Sequence, residues 1–132
     1  MCAACHDADG QGLVLAGDVR MAPTLWQSDL LNSDPSIAIA LVLKGIEKEN
    51  QDYASFMAPV AMSPSLLARA LSHARTSWGN ESGAVSEEQV RAVRKTWSEV
   101  RTPLRRAELE AYLKDPDALL RAVLERQSAA GK

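Results

Sequence analysis

The sequence predicts an all-α fold. Three observations carry that expectation. Apolar residues recur at helical spacing in several separate stretches. Those stretches open on capping residues, Asp34, Ser63, Ser86 and Asp115, and Pro35, Pro64 and Pro116 follow three of them directly. No stretch carries a convincing alternating pattern of a half-buried strand.

Bulk composition narrows the class. A chain of 132 residues is one domain by default. No apolar run approaches the roughly 20 residues that a membrane-crossing helix needs. Charge is uneven: residues 1–90 carry a net of −6 and residues 91–132 a net of +4. A basic end can dock an acidic partner, although a solvated helix face accounts for the same charges. An acidic main part with only three Trp, two Tyr and one Phe argues against nucleic-acid binding.

Residues 7–25 read as loop. Asp7-Ala8-Asp9-Gly10-Gln11-Gly12 is turn chemistry, and Gly17-Asp18 is another turn. Pro23 forces an extended backbone, which leaves its carbonyl free to accept a hydrogen bond. The first helix is expected over 34–44. Asp34 caps it, Pro35 opens it, Ile37 and Leu41 mark its apolar face, Ala38, Ala40 and Val42 widen that face, and Gly45 stops it. A polar loop over 46–56 leads to Tyr53 and Phe56. The apolar loop Phe56 to Pro64 then carries Met57 and Met62 on either side of Pro59.

The second helix is expected over 64–78. Its stripe is Leu66, Leu67, Ala70, Leu71, Ala74 and Trp78, with Gly79-Asn80 as the stop and His73 at the stripe's edge. Ser86-Glu87-Glu88-Gln89 is a capping box, opening a helix to about Val100 that buries Val90, Val93 and Trp97. Thr102-Pro103 opens a short helix with Leu104, Ala107, Leu109, Tyr112 and Leu113. Asp115-Pro116 opens another with Leu119, Leu120, Val123 and Leu124, fraying from Ser128 onwards.

The stretch that carries chemistry is Cys2-Ala3-Ala4-Cys5-His6. It has the Cys-x-x-Cys-His spacing that attaches a c-type haem. Two thiols three positions apart reach two vinyl groups of one porphyrin, and the next imidazole becomes an axial ligand of the iron. Two other chemistries use cysteines at this spacing. A thioredoxin-like pair follows a strand and opens a helix, yet Met1 alone precedes Cys2. A tetrahedral zinc site needs four ligands, yet the chain offers two Cys and two His, with His73 lying 67 positions beyond His6.

A haem held by His6 needs something on its far side. A methionine thioether is a soft iron ligand, and Met opposite His raises the reduction potential. Met57 and Met62 are both available, and a loop methionine also serves as plain core filling. A Pro23 carbonyl meeting the second nitrogen of His6 would fix its tautomer and strengthen it as a donor. Haem attachment in bacteria belongs outside the cytoplasm, and no charged and apolar leader precedes Cys2. The chain is therefore expected to be a fragment, a processed form or the product of a misplaced start.

These residues resemble a known family. Cys2 to His6, Pro23-Thr24-Leu25, Tyr53, Met57 and the helix ending Arg75-Thr76-Ser77-Trp78-Gly79-Asn80 resemble a class I (mono-haem) c-type cytochrome domain. The likeness covers about residues 2–95. The Ser-Trp-Gly-Asn ending is similar to small cytochrome c domains associated with bacterial periplasmic dehydrogenases. The resemblance implies cytochrome c-like helices around one covalent haem c. Residues 1–100 would be the cytochrome domain, without its N-terminal helix, and 101–132 a helical C-terminal extension.

The resemblance also implies the haem contacts: Cys2, Cys5, His6, Pro23, Leu25, Tyr53, Met57 and Leu71, with His6 and Met57 on the iron. Placing Met57 at the family's methionine puts Ser63 at the helix cap and Trp78 at the family's tryptophan without a gap. Ala58 separates Met57 from Pro59, where the family has Met-Pro directly. His73 stands where the family often has Tyr. Without a preceding helix, one side of helix 64–78 and one haem edge should be uncovered. The extension either covers that patch or binds a partner.

The implied function is one-electron transfer by an electron carrier rather than an enzyme. It would take electrons from a donor dehydrogenase and pass them to a respiratory acceptor, in the periplasm or otherwise exported. Two other functions stay open. An iron that Met57 leaves open would bind gases or reduce peroxide. A haem-free chain would be a helical interaction fragment with two free thiols.

Overall fold

The computed structural model describes residues 2–15, 17, 19–47 and 56–131. Its helices are α1 (Ala3–His6), α2 (Pro35–Lys44), α3 (Pro64–Thr76), α4 (Glu87–Thr96), α5 (Arg106–Ala111) and α6 (Pro116–Ala130). Among the described residues, strand-like pairing is confined to isolated bridges joining Val14 to Arg20 and Ile46 to both Met57 and Leu104. The fold is all-α. Among the described residues, no helix is long and apolar enough to cross a membrane.

The caps read from sequence are made. Asp34 accepts from the Ser36 amide at 2.9 Å, Ser63 from Leu66 at 3.2 Å and Asp115 from Ala118 at 3.1 Å. Ser86 and Gln89 close both halves of the capping box, at 3.1 and 2.8 Å. Each such cap contributes about 1 kcal/mol by satisfying an amide that the helix leaves orphaned.

Helix α2 is the centre of the core. Ile37, Ala38, Ile39 and Ala40 are each 0% exposed. A helix buried on every side shows no polar face, which is why the sequence there is almost continuously apolar. Helices α2 and α3 both pack on α4. Leu67 and Leu71 of α3, Val90 and Val93 of α4, Leu109 of α5, and Leu119 and Val123 of α6 belong to the same buried cluster.

The C-terminal segment is anchored to that cluster through backbone. The Leu104 amide donates to the Gly45 carbonyl and its carbonyl accepts from Glu47, both at 2.9 Å. The Asp34 amide donates to the Leu113 carbonyl at 3.0 Å, and Gln127 Nε2 reaches the Glu99 carbonyl at 3.0 Å. These bonds place the extension around both ends of α2 and beyond α4. The expected open side of α3 remains, with Leu66 49% exposed and His73 exposed beside it.

Five expectations need correction. Helix α3 ends at Thr76, because Trp78 adopts a left-handed backbone (φ 54°) that no α-helix accepts. Its buried stripe is Leu67, Ala68, Leu71 and Arg75, rotated away from Leu66. Thr102-Pro103 opens no helix: Leu104 is held extended by its pairing with Gly45 and Glu47, and α5 begins at Arg106. Helix α6 runs to Ala130 instead of fraying from Ser128. Helix α4 stops at Thr96 and passes through a turn at 97–99 to Val100.

Candidate functional site

The motif is folded as one helical turn. The Cys5 and His6 amides both donate to the Cys2 carbonyl, at 3.2 and 2.9 Å. This turn carries both thiols and the imidazole. Cys2 is exposed, Cys5 half-buried, and neither is in a disulfide.

A tight loop then doubles back over the turn. The Gly12 amide donates to the His6 carbonyl at 2.7 Å, and Leu13 to the Cys5 carbonyl at 2.9 Å. Gly12 has φ 92°, and a side chain there would run into the Ala22 carbonyl. Arg20 closes the loop by donating to the Gln11 and Gly12 carbonyls, both at 3.0 Å.

The loop delivers Pro23 to His6. Their Nδ1-to-carbonyl distance is 3.2 Å. A carbonyl only accepts, so Nδ1 carries the proton and donates, and Nε2 keeps its lone pair. Burial pushes His6 below its ordinary imidazole value, although the bond to Pro23 pulls the other way. The result is a neutral, oriented imidazole with one nitrogen available, the form in which histidine binds metal.

Met57 is positioned from the other half of the chain. Its amide and carbonyl pair with Ile46, both at 2.9 Å. Gly45 makes this possible: at φ 78°, any side chain there would collide with the Met57 carbonyl and come within 2.9 Å of the Pro59 nitrogen. Met57 and Met62 are both half-buried and packed on the core, and the Met62 carbonyl accepts from Arg94.

The remaining expected residues fall as follows. Leu71 is buried on the core face of α3, and Leu25 is half-buried against the same cluster. Tyr53 lies outside the described residues. His73 is exposed and edge-on to Trp78, with ring centres 5.6 Å apart. An open cleft of about 460 Å³ borders the Pro23 loop, lined by Gln11, Arg20, Pro23, Thr24 and Trp26.

Two polar residues were not singled out from sequence as site-building. Asn80 enters the sequence reading as a helix stop, and both residues enter it within the ending Arg75-Thr76-Ser77-Trp78-Gly79-Asn80 that carries the resemblance. Arg75 is 2% exposed and donates to the carbonyls of Leu31, Ser33, Ser82 and Gly83 at 2.7–3.2 Å. Asn80 is 4% exposed and ties the Leu25–Gln27 segment to the end of α3. Their signal was burial of polar side chains, which apolar periodicity does not reveal.

The donor types are those a c-type haem takes: two thiols and an adjacent neutral imidazole on one turn, with a half-buried thioether on a separate loop paired to Ile46. Among the described residues, no three His, Cys, Asp or Glu side chains converge as a zinc site would require. Neither the known protein-family models nor the curated proteins contain a match to this chain.

Proposed function

We propose that the chain carries one haem c and transfers single electrons. The supporting observation is the oriented, neutral His6 beside two free thiols at Cys-x-x-Cys-His spacing, with Nδ1 committed to Pro23. When bound, the haem iron supplies a one-electron couple.

The chain's residues divide the remaining work. Cys2 and Cys5 would hold the porphyrin through thioethers. His6 would give Nε2 to the iron, strengthened as a donor by the Pro23 carbonyl. Met57 would supply its sulfur as the second ligand, and the Ile46 pairing holds its backbone. Leu25 and Leu71 supply apolar packing. A haem held by both residues would leave no position on the metal for substrate, which would make the protein a carrier rather than an enzyme. The donor is a periplasmic dehydrogenase and the recipient a respiratory acceptor, outside the cytoplasm.

Absorption spectra of the purified protein test this reading. Narrow low-spin bands on reduction, a weak Fe–S band on oxidation and slow carbon monoxide binding are expected. High-spin bands with rapid carbon monoxide binding would instead show an open iron, and with it the gas-binding or peroxidatic alternative.

A further inference from the structure

Two non-glycine residues in left-handed backbone flank Asn80, one in the corner after α3 and one in the segment that Asn80 bonds. Trp78 has φ 54° and Gln27 has φ 52°. Such conformations persist only where the surroundings over-determine them, and they concentrate at functional sites. Asn80 lies between the two and supplies the determination.

Its amide is used to capacity. Nδ2 donates to the Leu25 carbonyl at 2.9 Å and to the Ala74 carbonyl at 2.8 Å. Oδ1 accepts from the Gln27 amide at 2.7 Å and from Asn32 Nδ2 at 3.0 Å. Two donors and two lone pairs are all that this side chain has.

Leu25 is thereby pinned from both sides. Its carbonyl is held by Asn80, and its amide donates to the Gly10 carbonyl at 2.6 Å. Gly10 is itself covered by the Trp78 ring, whose carbons would lie 2.8 Å from any side-chain carbon at that position. Two residues before Leu25 is Pro23, whose carbonyl sets the His6 ring.

We infer that Asn80 is a positioning residue for His6: from the end of α3 it holds the Leu25–Gln27 segment, and so fixes where the Pro23 carbonyl meets the imidazole. This rests on the proposed haem ligation by His6. Loosening the segment weakens the Nδ1–H bond, makes His6 a poorer donor and favours the reduced iron.

The test uses Asn80→Asp in the full haem-loaded chain. The substitution keeps shape and Oδ1 but turns the Nδ2 donor into an acceptor facing two carbonyls. Arg75→Lys is the control, since Arg75 is equally buried yet bonds to Leu31, Ser33, Ser82 and Gly83 and leaves the 25–27 segment alone. Reduction potential and paramagnetic haem-methyl NMR shifts are measured, with amide hydrogen exchange at Leu25 and Gln27 as a readout independent of the haem.

Asn80→Asp is expected to raise the reduced-to-oxidised ratio several-fold, with tenfold corresponding to 59 mV. It should also move the methyl shifts and speed exchange at both amides, while Arg75→Lys changes stability alone. If Asn80→Asp does not fold, Trp78→Phe carries the same test through Gly10. A haem-loaded wild type whose potential and shifts match the variant's overturns this inference alone. A wild type that never carries haem overturns it together with the functional reading.

Discussion

The Ile46 and Met57 backbones exchange a reciprocal pair of hydrogen bonds, both 2.9 Å long, at the point where α2 gives way to the methionine loop. Gly45 creates the room for that pairing, and its φ of 78° is reached at little cost by glycine alone. Gly45→Ala should therefore destabilise by about 1–3 kcal/mol through backbone strain, with the clash against Met57 and Pro59 added. The Fe–S band should weaken as Met57 is displaced. Gly83→Ala makes the comparison, since Gly83 has φ 83° but nothing within 4 Å of its absent side chain. It should cost only the left-handed penalty of about 1–2 kcal/mol and leave the spectrum unchanged. Equal effects from the two substitutions, read by urea midpoint and absorption, would contradict this role for Gly45.

Methionine ligation separates two loop residues of similar burial. Met57→Ala should lower the reduction potential and admit carbon monoxide rapidly. Met62→Ala should leave both unchanged and cost about 2 kcal/mol in packing, the low end for a residue only half-buried. A large spectral change in Met62→Ala would transfer the ligand role to Met62.

His6→Ala removes the imidazole while leaving both thiols. Haem should still be retained through denaturation, but the low-spin spectrum should be lost. A low-spin spectrum surviving the substitution would show that some other residue fills the axial position.

Acid stability should depend on Glu108. Arg126 grips its carboxylate with two bonds of 2.7 and 2.9 Å. Burial alone would raise this carboxyl, but the Arg126 and Arg105 bonds and both positive charges outweigh it and hold the group below its ordinary value. The unfolded chain then binds the proton more tightly than the folded one. The contribution is full above the unfolded value of about 4.3 and disappears as pH falls through the lower folded value. Glu108→Gln should cost about 1–3 kcal/mol at pH 7. In urea titrations that gap should close in acid; a gap that stays constant down to pH 3 would count against the assignment.

Local signals carried most of the fold. Asp34, Ser63, Ser86 with Gln89, and Asp115 each cap the helix that their neighbours predict, because a cap and its amide lie two or three residues apart. Failures came where distant backbone decides. Leu104 looked helical after Pro103, but its partners are Gly45 and Glu47. Leu66 fitted the apolar period of α3, yet Arg75 took the buried side because four carbonyls converge on it. At the candidate site, the acceptor role of the Pro23 carbonyl toward His6 was legible from proline chemistry. Asn80 was not, because its partners Leu25, Gln27 and Asn32 lie 48–55 residues away.

Covalent attachment is the claim on which ligation, potential and partner all depend. The direct measurement is the intact mass and colour of the denatured chain after expression behind an export leader in a cell that attaches haem. One haem's mass, retained with its colour and with no titratable thiol at Cys2 or Cys5, is the expected result. A colourless chain of unmodified mass with two reactive thiols would contradict the account.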